Sequence, residues 1–174
     1  MNVKDDLIKI ATRTIQKSGI HRLTMRDLAS EANIKSSSVM YHFKSKDGLL
    51  YELTKIYNDS FFDFLEDINK KNENPKKRLL LLVDTFESVL NEDKLCLCGM
   101  LASENDSLDS TTKESVCNFF ERLNLWVEGN LNLININKTF AKIIVSSLEG
   151  AMLIDKLNQN NNNLSAVRTW IESL

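Results

Sequence analysis

Few residues in this sequence can make or break bonds, and they stand far apart. The cysteines are Cys96, Cys98 and Cys117, and the two histidines, His21 and His42, both lie near the amino terminus. No Cys/His or Ser/His/Asp spacing is evident, and no G-x-S-x-G, H-E-x-x-H or P-loop occurs. Cys96-x-Cys98 is too short for zinc without two further ligands, so neither a metal site nor a cofactor is expected, and the chain does not read as an enzyme. A thiol near a helix start has raised reactivity, which keeps Cys96 and Cys98 as candidate sensors of oxidants or electrophiles. Three cysteines are too few and too odd in number for a secreted disulfide framework. Free thiols in a reducing, cytoplasmic compartment are the expectation.

The other chemistry on offer is electrostatic. Net charge is −2, but residues 1–50 hold nine Lys/Arg against five Asp/Glu and residues 51–174 hold thirteen against nineteen. A basic head on an acidic body can collect on a polyanion without making the whole molecule adhesive.

These groups need elements to position them. With 43% hydrophobic residues, five glycines and one proline in 174 residues, sandwiches and barrels are disfavoured and long helices fit. The longest apolar run, Leu79–Val83, is too short to cross a bilayer, and Asp5 and Asp6 stand where a leader would be basic. Leu7, Ile8, Ala11 and Ile15 recur at helical spacing, with Gly19 as a stop at positive φ. Thr24 caps a second, short helix carrying Met25, Leu28, Ala29 and Ala32, and after Asn33-Ile34-Lys35, Ser36 caps a third through Val39 to Tyr41 or His42. Two short helices joined by a tight turn have the outline of a helix-turn-helix. Ser45 caps a long fourth helix, and Pro75 opens a fifth reaching Leu90. Met100–Leu108, Thr112–Leu133, a stretch from Phe140 to Leu157, and Leu164–Leu174 after an Asn/Gln loop complete nine helices with no strand. The fold class is all-α.

Thr24-Met25-Arg26-Asp27-Leu28-Ala29, then Ala32-Asn33-Ile34, then Val39 through Lys44-Ser45-Lys46-Asp47-Gly48-Leu49 resembles the DNA-binding domain of the TetR family of transcriptional regulators. The resemblance covers about residues 5–50. Asn33 and Met40 depart from it, standing where that family usually has Gly and Tyr; Asn is the best substitute for Gly at positive φ. Ser37 replaces a frequent Gly. The resemblance implies a DNA-binding head over 1–47 and a ligand-binding and dimerisation body over 48–174. Lys44, Lys46, Thr24, Arg26 and His42 would meet phosphates, and Lys35, Ser36, Ser37, Ser38 and Tyr41 would face base edges or neighbouring phosphates in the major groove. Val39 and Phe43 are expected in the core.

The same resemblance implies a homodimer that binds a palindromic double-stranded operator and responds to a small-molecule effector, most simply as a repressor. Apolar residues run around much of the eighth helix, which independently suggests a second copy. Ile144, Ser147, Leu148, Ala151 and Trp170 are the expected interface. Tyr57, Phe61, Phe86, Met100, Phe119, Phe120 and Trp126 are the candidate lining for a small, flat, hydrophobic or electrophilic effector. No membrane partner is expected. Two other classes stay open on these residues: an adaptor that kept the head but lost DNA binding, which Met40 makes conceivable, and a helical enzyme using its thiols.

Overall fold

The computed structural model describes residues 2–174. Nine α-helices follow in order: α1 Val3–Ser18, α2 Met25–Glu31, α3 Ser36–Phe43, α4 Lys46–Lys71, α5 Pro75–Asn91, α6 Leu97–Ser103, α7 Ser110–Leu133, α8 Phe140–Asn158 and α9 Asn162–Ser173. Short 3-10 turns span Ile20–Arg22 and Asn105–Ser107, and no strand occurs among the described residues. The fold is all-α. Among the described residues no helix is long and apolar enough to cross a membrane.

Local chemistry explains most boundaries. Thr24 Oγ1 accepts the Asp27 N–H at 3.0 Å, Ser45 Oγ accepts the Gly48 N–H at 3.0 Å, and Asn74 Oδ1 accepts the Lys77 N–H at 3.2 Å beside Pro75 in the first turn of α5. Gly19 ends α1 at φ 84°, its N–H on the Ile15 carbonyl at 2.9 Å. Asn33 takes φ 54° in the turn between α2 and α3, the positive φ expected of it.

Two boundaries differ from the sequence expectation. Ser36 is the first residue of α3 and not its cap: Lys35 occupies the cap without a side-chain hydrogen bond, because the Asn33 turn delivers extended backbone at Lys35 and helical backbone one residue later. The sixth helix begins at Leu97, earlier than Met100, and gives way at Ser103 to the Asn105–Ser107 turn. Leu97, Cys98 and Leu101 are buried, so packing draws that earlier segment into the helix.

By packing, the chain parts into two compact units. The first comprises residues up to Asp59 together with Leu97–Asn118; the second comprises Ser60–Cys96 and Phe119–Leu174. The functional boundary expected after residue 47 falls inside the first unit. In that unit α1 packs on α2 and α6, α2 packs on α3, and Leu7, Ala11, Ile15, Leu28, Val39 and Leu49 are among its buried side chains. The second unit is built from mutual packing of α5, α8 and α9, with Leu82, Val83, Leu148, Met152, Leu164 and Ile171 sealed inside.

Two polar devices hold the second unit's helices. Asp155 is fully buried at the end of α8 and accepts the N–H groups of Asn163 at 3.0 Å and Leu164 at 2.8 Å, capping α9. Burial works to raise its pKa, but those hydrogen bonds outweigh it and hold the carboxyl below the ordinary value. Arg168 on α9 reaches back to α5, pairing with Asp84 and with Glu87 Oε2 at 2.8 Å.

Candidate nucleic-acid interface

The helix-turn-helix is held rigidly from below. Val39 and Phe43 are buried, as expected, while Ser36, Ser37, Met40 and Tyr41 on the other side of α3 are exposed. Tyr41 is 83% exposed, against 45% for Met40. Ser38 and His42 are half-buried, and the His42 ring meets Tyr41 edge-on with centroids 5.5 Å apart. Lys35, just before α3, and Lys44, just after it, are both exposed, and Lys44 adopts φ 62°. Arg26 is exposed on α2. Thus α3 presents hydroxyls and an aromatic tip flanked by cations, a pattern suited to base edges between two phosphate backbones. The α3–α4 corner leaves no room for a side chain at Gly48, where a Cβ would come 2.3 Å from the Phe43 carbonyl oxygen.

Two of the expected contact residues are already engaged within the chain. The Thr24 hydroxyl donates to Asp27 Oδ2 at 2.6 Å while accepting the Asp27 N–H, so it serves the cap. Lys46 directs Nζ to the Ile20 carbonyl at 2.8 Å. Burial holds the Lys46 pKa below the ordinary lysine value, with Glu104 and then Asp47 working the other way.

Glu104, just after α6, was invisible to sequence reasoning. Its Oε1 accepts the Ile20 N–H at 2.8 Å, and its Oε2 lies 3.1 Å from His21 Nε2. The linker between α1 and α2 is therefore gripped on both polar faces of one peptide residue, by Lys46 at the Ile20 carbonyl and by Glu104 at the Ile20 N–H. Gly19 was the only signal: a Cβ there would stand 2.5 Å from Glu104 Oε1, so glycine serves both the positive φ and the approach of this carboxylate.

Residues 7–53 match the family model of bacterial regulatory proteins of the tetR family. The crystal structure of a TetR transcriptional regulator from Legionella pneumophila, 29% identical, aligns over 99% of this chain and 97% of that one with a TM-score of 0.95. The chain belongs to the TetR family. The HTH-type transcriptional repressor KstR2 of Mycobacterium tuberculosis is 32% identical to this TetR-family chain over 87 residues, 49% of this chain and 44% of the repressor. The match thus spans less than half the length of that curated relative. The fatty acid metabolism regulator protein of Bacillus subtilis is 23% identical over 130 residues, 74% of this chain and 62% of that protein.

The remaining expected residues of this TetR-family protein fall into both units. Tyr57 and Met100, both half-buried, belong to the first; Phe61, Phe86, Phe119, Phe120 and Trp126 belong to the second. Phe61, Phe119 and Phe120 come together in one aromatic cluster, with Phe61–Phe119 centroids at 5.0 Å and Phe119–Phe120 at 5.3 Å. Phe62, not singled out from the sequence, joins it at 5.6 Å from Phe119 and carries the Arg122 guanidinium 3.8 Å over its ring. A pocket of about 280 Å³ in the second unit is lined by Leu90, Asp93, Asp155, Lys156 and the amides of Asn91 and Gln159–Asn161, none of them an expected effector residue.

Cys96 and Cys98 are buried, and Cys117 is exposed. The Cys98 thiol points to Asn58 Oδ1 at 3.7 Å, while the Asn58 amide donates to the Ser115 carbonyl at 3.0 Å. Of the expected interface residues, Ile144, Leu148 and Ala151 are buried in the chain's own core, and Ser147 and Trp170 are half-buried, with Trp170 edge-on to Phe140. The apolar residues that α8 leaves outside are Ile143, Leu153, Ile154 and Leu157. Among the described residues, no group of three or more His, Cys, Asp or Glu side chains could hold a metal ion.

Proposed function

We propose that this TetR-family chain is a homodimeric, ligand-responsive transcriptional repressor, with residues 1–47 reading a palindromic operator and 48–174 carrying the dimer contact and the effector. The observation that carries this reading is the outward face of α3: exposed Ser36, Ser37 and Tyr41 between exposed Lys35 and Lys44, on a helix whose other side is anchored by Val39 and Phe43. Lys35, Lys44, Arg26 and His42 take phosphates, and Ser37 and Tyr41 read base edges. Lys46 acts chiefly by holding Ile20, and reaches a phosphate only when it leaves that carbonyl.

The second copy binds along α8, where Ile143, Ser147, Gly150, Ile154 and Leu157 recur at three- and four-residue intervals and Gly150 has open space around a would-be Cβ. Two heads related by that symmetry would meet half-sites about 34–36 Å apart. The name of the matched mycobacterial relative, a transcriptional repressor, supports the sign of the regulation.

Capture of genomic fragments by the purified protein tests the reading. A recovered palindrome should bind with an affinity that falls steeply as salt rises, and more tightly than random duplex at moderate salt. Equal affinity for recovered and random duplexes would overturn it.

A further inference from the structure

The pocket of about 280 Å³ in the second unit lies where the carboxyl ends of α5 and α8 meet the turn into α9, and its lining holds no aromatic ring. Lys156 Nζ joins its two sides, donating to the Asp93 carbonyl at 2.7 Å and to Asp93 Oδ1 at 2.8 Å. Of the five non-glycine residues at positive φ among those described, two line this pocket, Asp93 at φ 59° and Gln159 at φ 54°. Glycine would serve either turn at lower cost, and Gln159 occupies the left-handed position after α8 where glycine is most favoured. Side chains kept at such positions, both in the wall of one cavity, mark it as a binding site.

The charges of the lining narrow the ligand. Lys156 already answers Asp93, and Asp155 accepts three donors from Asn163 and Leu164. An anion would have to approach both carboxylates and the carbonyl ends of two helices. A cation would have to displace the Lys156 ammonium from Asp93. An apolar molecule would find one apolar side chain, Leu90. The rest of the wall is carboxamide, from Asn91 and Gln159–Asn161. Asn161 Nδ2 donates to Asn91 Oδ1 at 3.4 Å, and Asn160 Oδ1 accepts the Asn162 N–H at 3.1 Å. That leaves, among the described residues, the Asn91 and Asn160 amide hydrogens and both ends of Gln159 for a ligand. Hydroxyl groups, which donate and accept at once, match such a wall. The volume sits just below the usual range of small-molecule sites, about 300–1,000 Å³, which suits a single sugar-sized ring.

We propose that this pocket binds a small, neutral, polyhydroxylated molecule the size of a pentose or hexose, held by the carboxamides of Asn91, Gln159 and Asn160. Binding ties the turn after α5 to the turn after α8. The site is distinct from the aromatic lining expected for an effector, and it stands whether or not the chain reads DNA.

NMR titration of the full chain with D-ribose, D-glucose and myo-inositol, followed on side-chain amide signals, tests the proposal. At least one of the three should bind with a millimolar dissociation constant and move the signals of Asn91, Gln159 and Asn160. D-Glucuronate and D-glucosamine, charged counterparts of glucose, should bind at least about ten-fold more weakly than the best neutral probe. Gln159→Gly keeps the left-handed backbone and removes the carboxamide, so it should weaken binding at least about five-fold while raising the midpoint of thermal unfolding. Loss of binding through misfolding would lower that midpoint instead. Asn91→Ala, at the exposed end of α5, is the second variant and should weaken binding without the gain in stability. No binding of any neutral probe at tens of millimolar, equal or tighter binding of either charged sugar, signal changes confined to other residues, or undiminished binding in both variants would each overturn the proposal. Fragment capture decides the DNA reading separately, because it requires no added sugar.

Discussion

Glu104 and Glu149 are both largely shut away from water, one in each compact unit, and they differ in what answers the charge. Glu104 Oε1 accepts the Ile20 N–H, with Lys46 holding the opposite side of the same residue, while Oε2 lies 3.1 Å from His21 Nε2 without a hydrogen bond. Glu149, half-buried, accepts a hydrogen bond from the Cys96 thiol, and its Oε1 has no partner. A carboxylate with donors in place is a joint: it ties the segment after α6 to the linker that positions α2 and α3. A carboxyl with no backbone donor is pushed by burial toward its protonated form. The contrast holds between these two groups and not between whole units, because Thr112 Oγ1 in the first unit is also buried without a partner, while Asp155 in the second is fully answered.

The largest test of this contrast is the pH dependence of stability. Folded Glu149 holds its proton up to about pH 7, whereas the ordinary value is 4.5. Between those values the folded state binds more protons than the unfolded state, so stability is full below the lower value and lost as pH rises through the upper one. The difference should reach about 3 kcal/mol across the window, at about 1.4 kcal/mol per unit. Urea denaturation of wild type and Glu149→Gln at several pH values should show this loss in the wild type alone; parallel profiles would remove the distinction between the two glutamates.

Next in size is Glu104→Ala, which strands the Ile20 N–H and should cost about 2 kcal/mol. DNA affinity should fall with it, and hydrogen exchange at the Ile20 amide should accelerate. Unchanged DNA affinity in a destabilised variant would reduce Glu104 to a local staple. Thr24→Ala removes a cap whose hydroxyl is wholly committed to Asp27, and should cost about 1 kcal/mol in thermal or chemical unfolding. The smallest effect distinguishes the outer residues from these inner ones. Lys44→Ala should weaken all duplexes alike and lower the salt slope by about 1, with no change in stability, whereas Ser37→Ala should alter sequence preference and leave the slope intact.

Much of the head was legible because its information is local. Thr24 and Asp27 lie three residues apart, Asn33 reports its own positive φ, and the alternation of buried Val39 and Phe43 with outward Ser37 and Tyr41 follows from helical periodicity. The body was legible as helices but less so as surfaces. Ile144, Leu148 and Ala151 have the spacing of an interface stripe, and the same spacing equally describes the inner stripe they form, while Ile143, Ile154 and Leu157 point outward. Periodicity identifies a face without saying which neighbour covers it. The start of α3 was misplaced by one residue and that of α6 by three, since serine chemistry competes with backbone geometry at Ser36 and long-range packing decides at Leu97.

The sequence by itself determined an all-helical chain, a basic amino-terminal segment and the capped helix-turn-helix of a TetR-family head, because these depend on interactions within a few residues and on charge counted along the chain. Only the tertiary structure decided what Lys46, Glu104, Cys96 and Glu149 do. Glu104 meets a backbone amide 84 positions away, and Glu149 meets a thiol on a separate segment. Whether a charge is answered or left waiting depends on donors that folding brings from elsewhere, and no local pattern records their arrival.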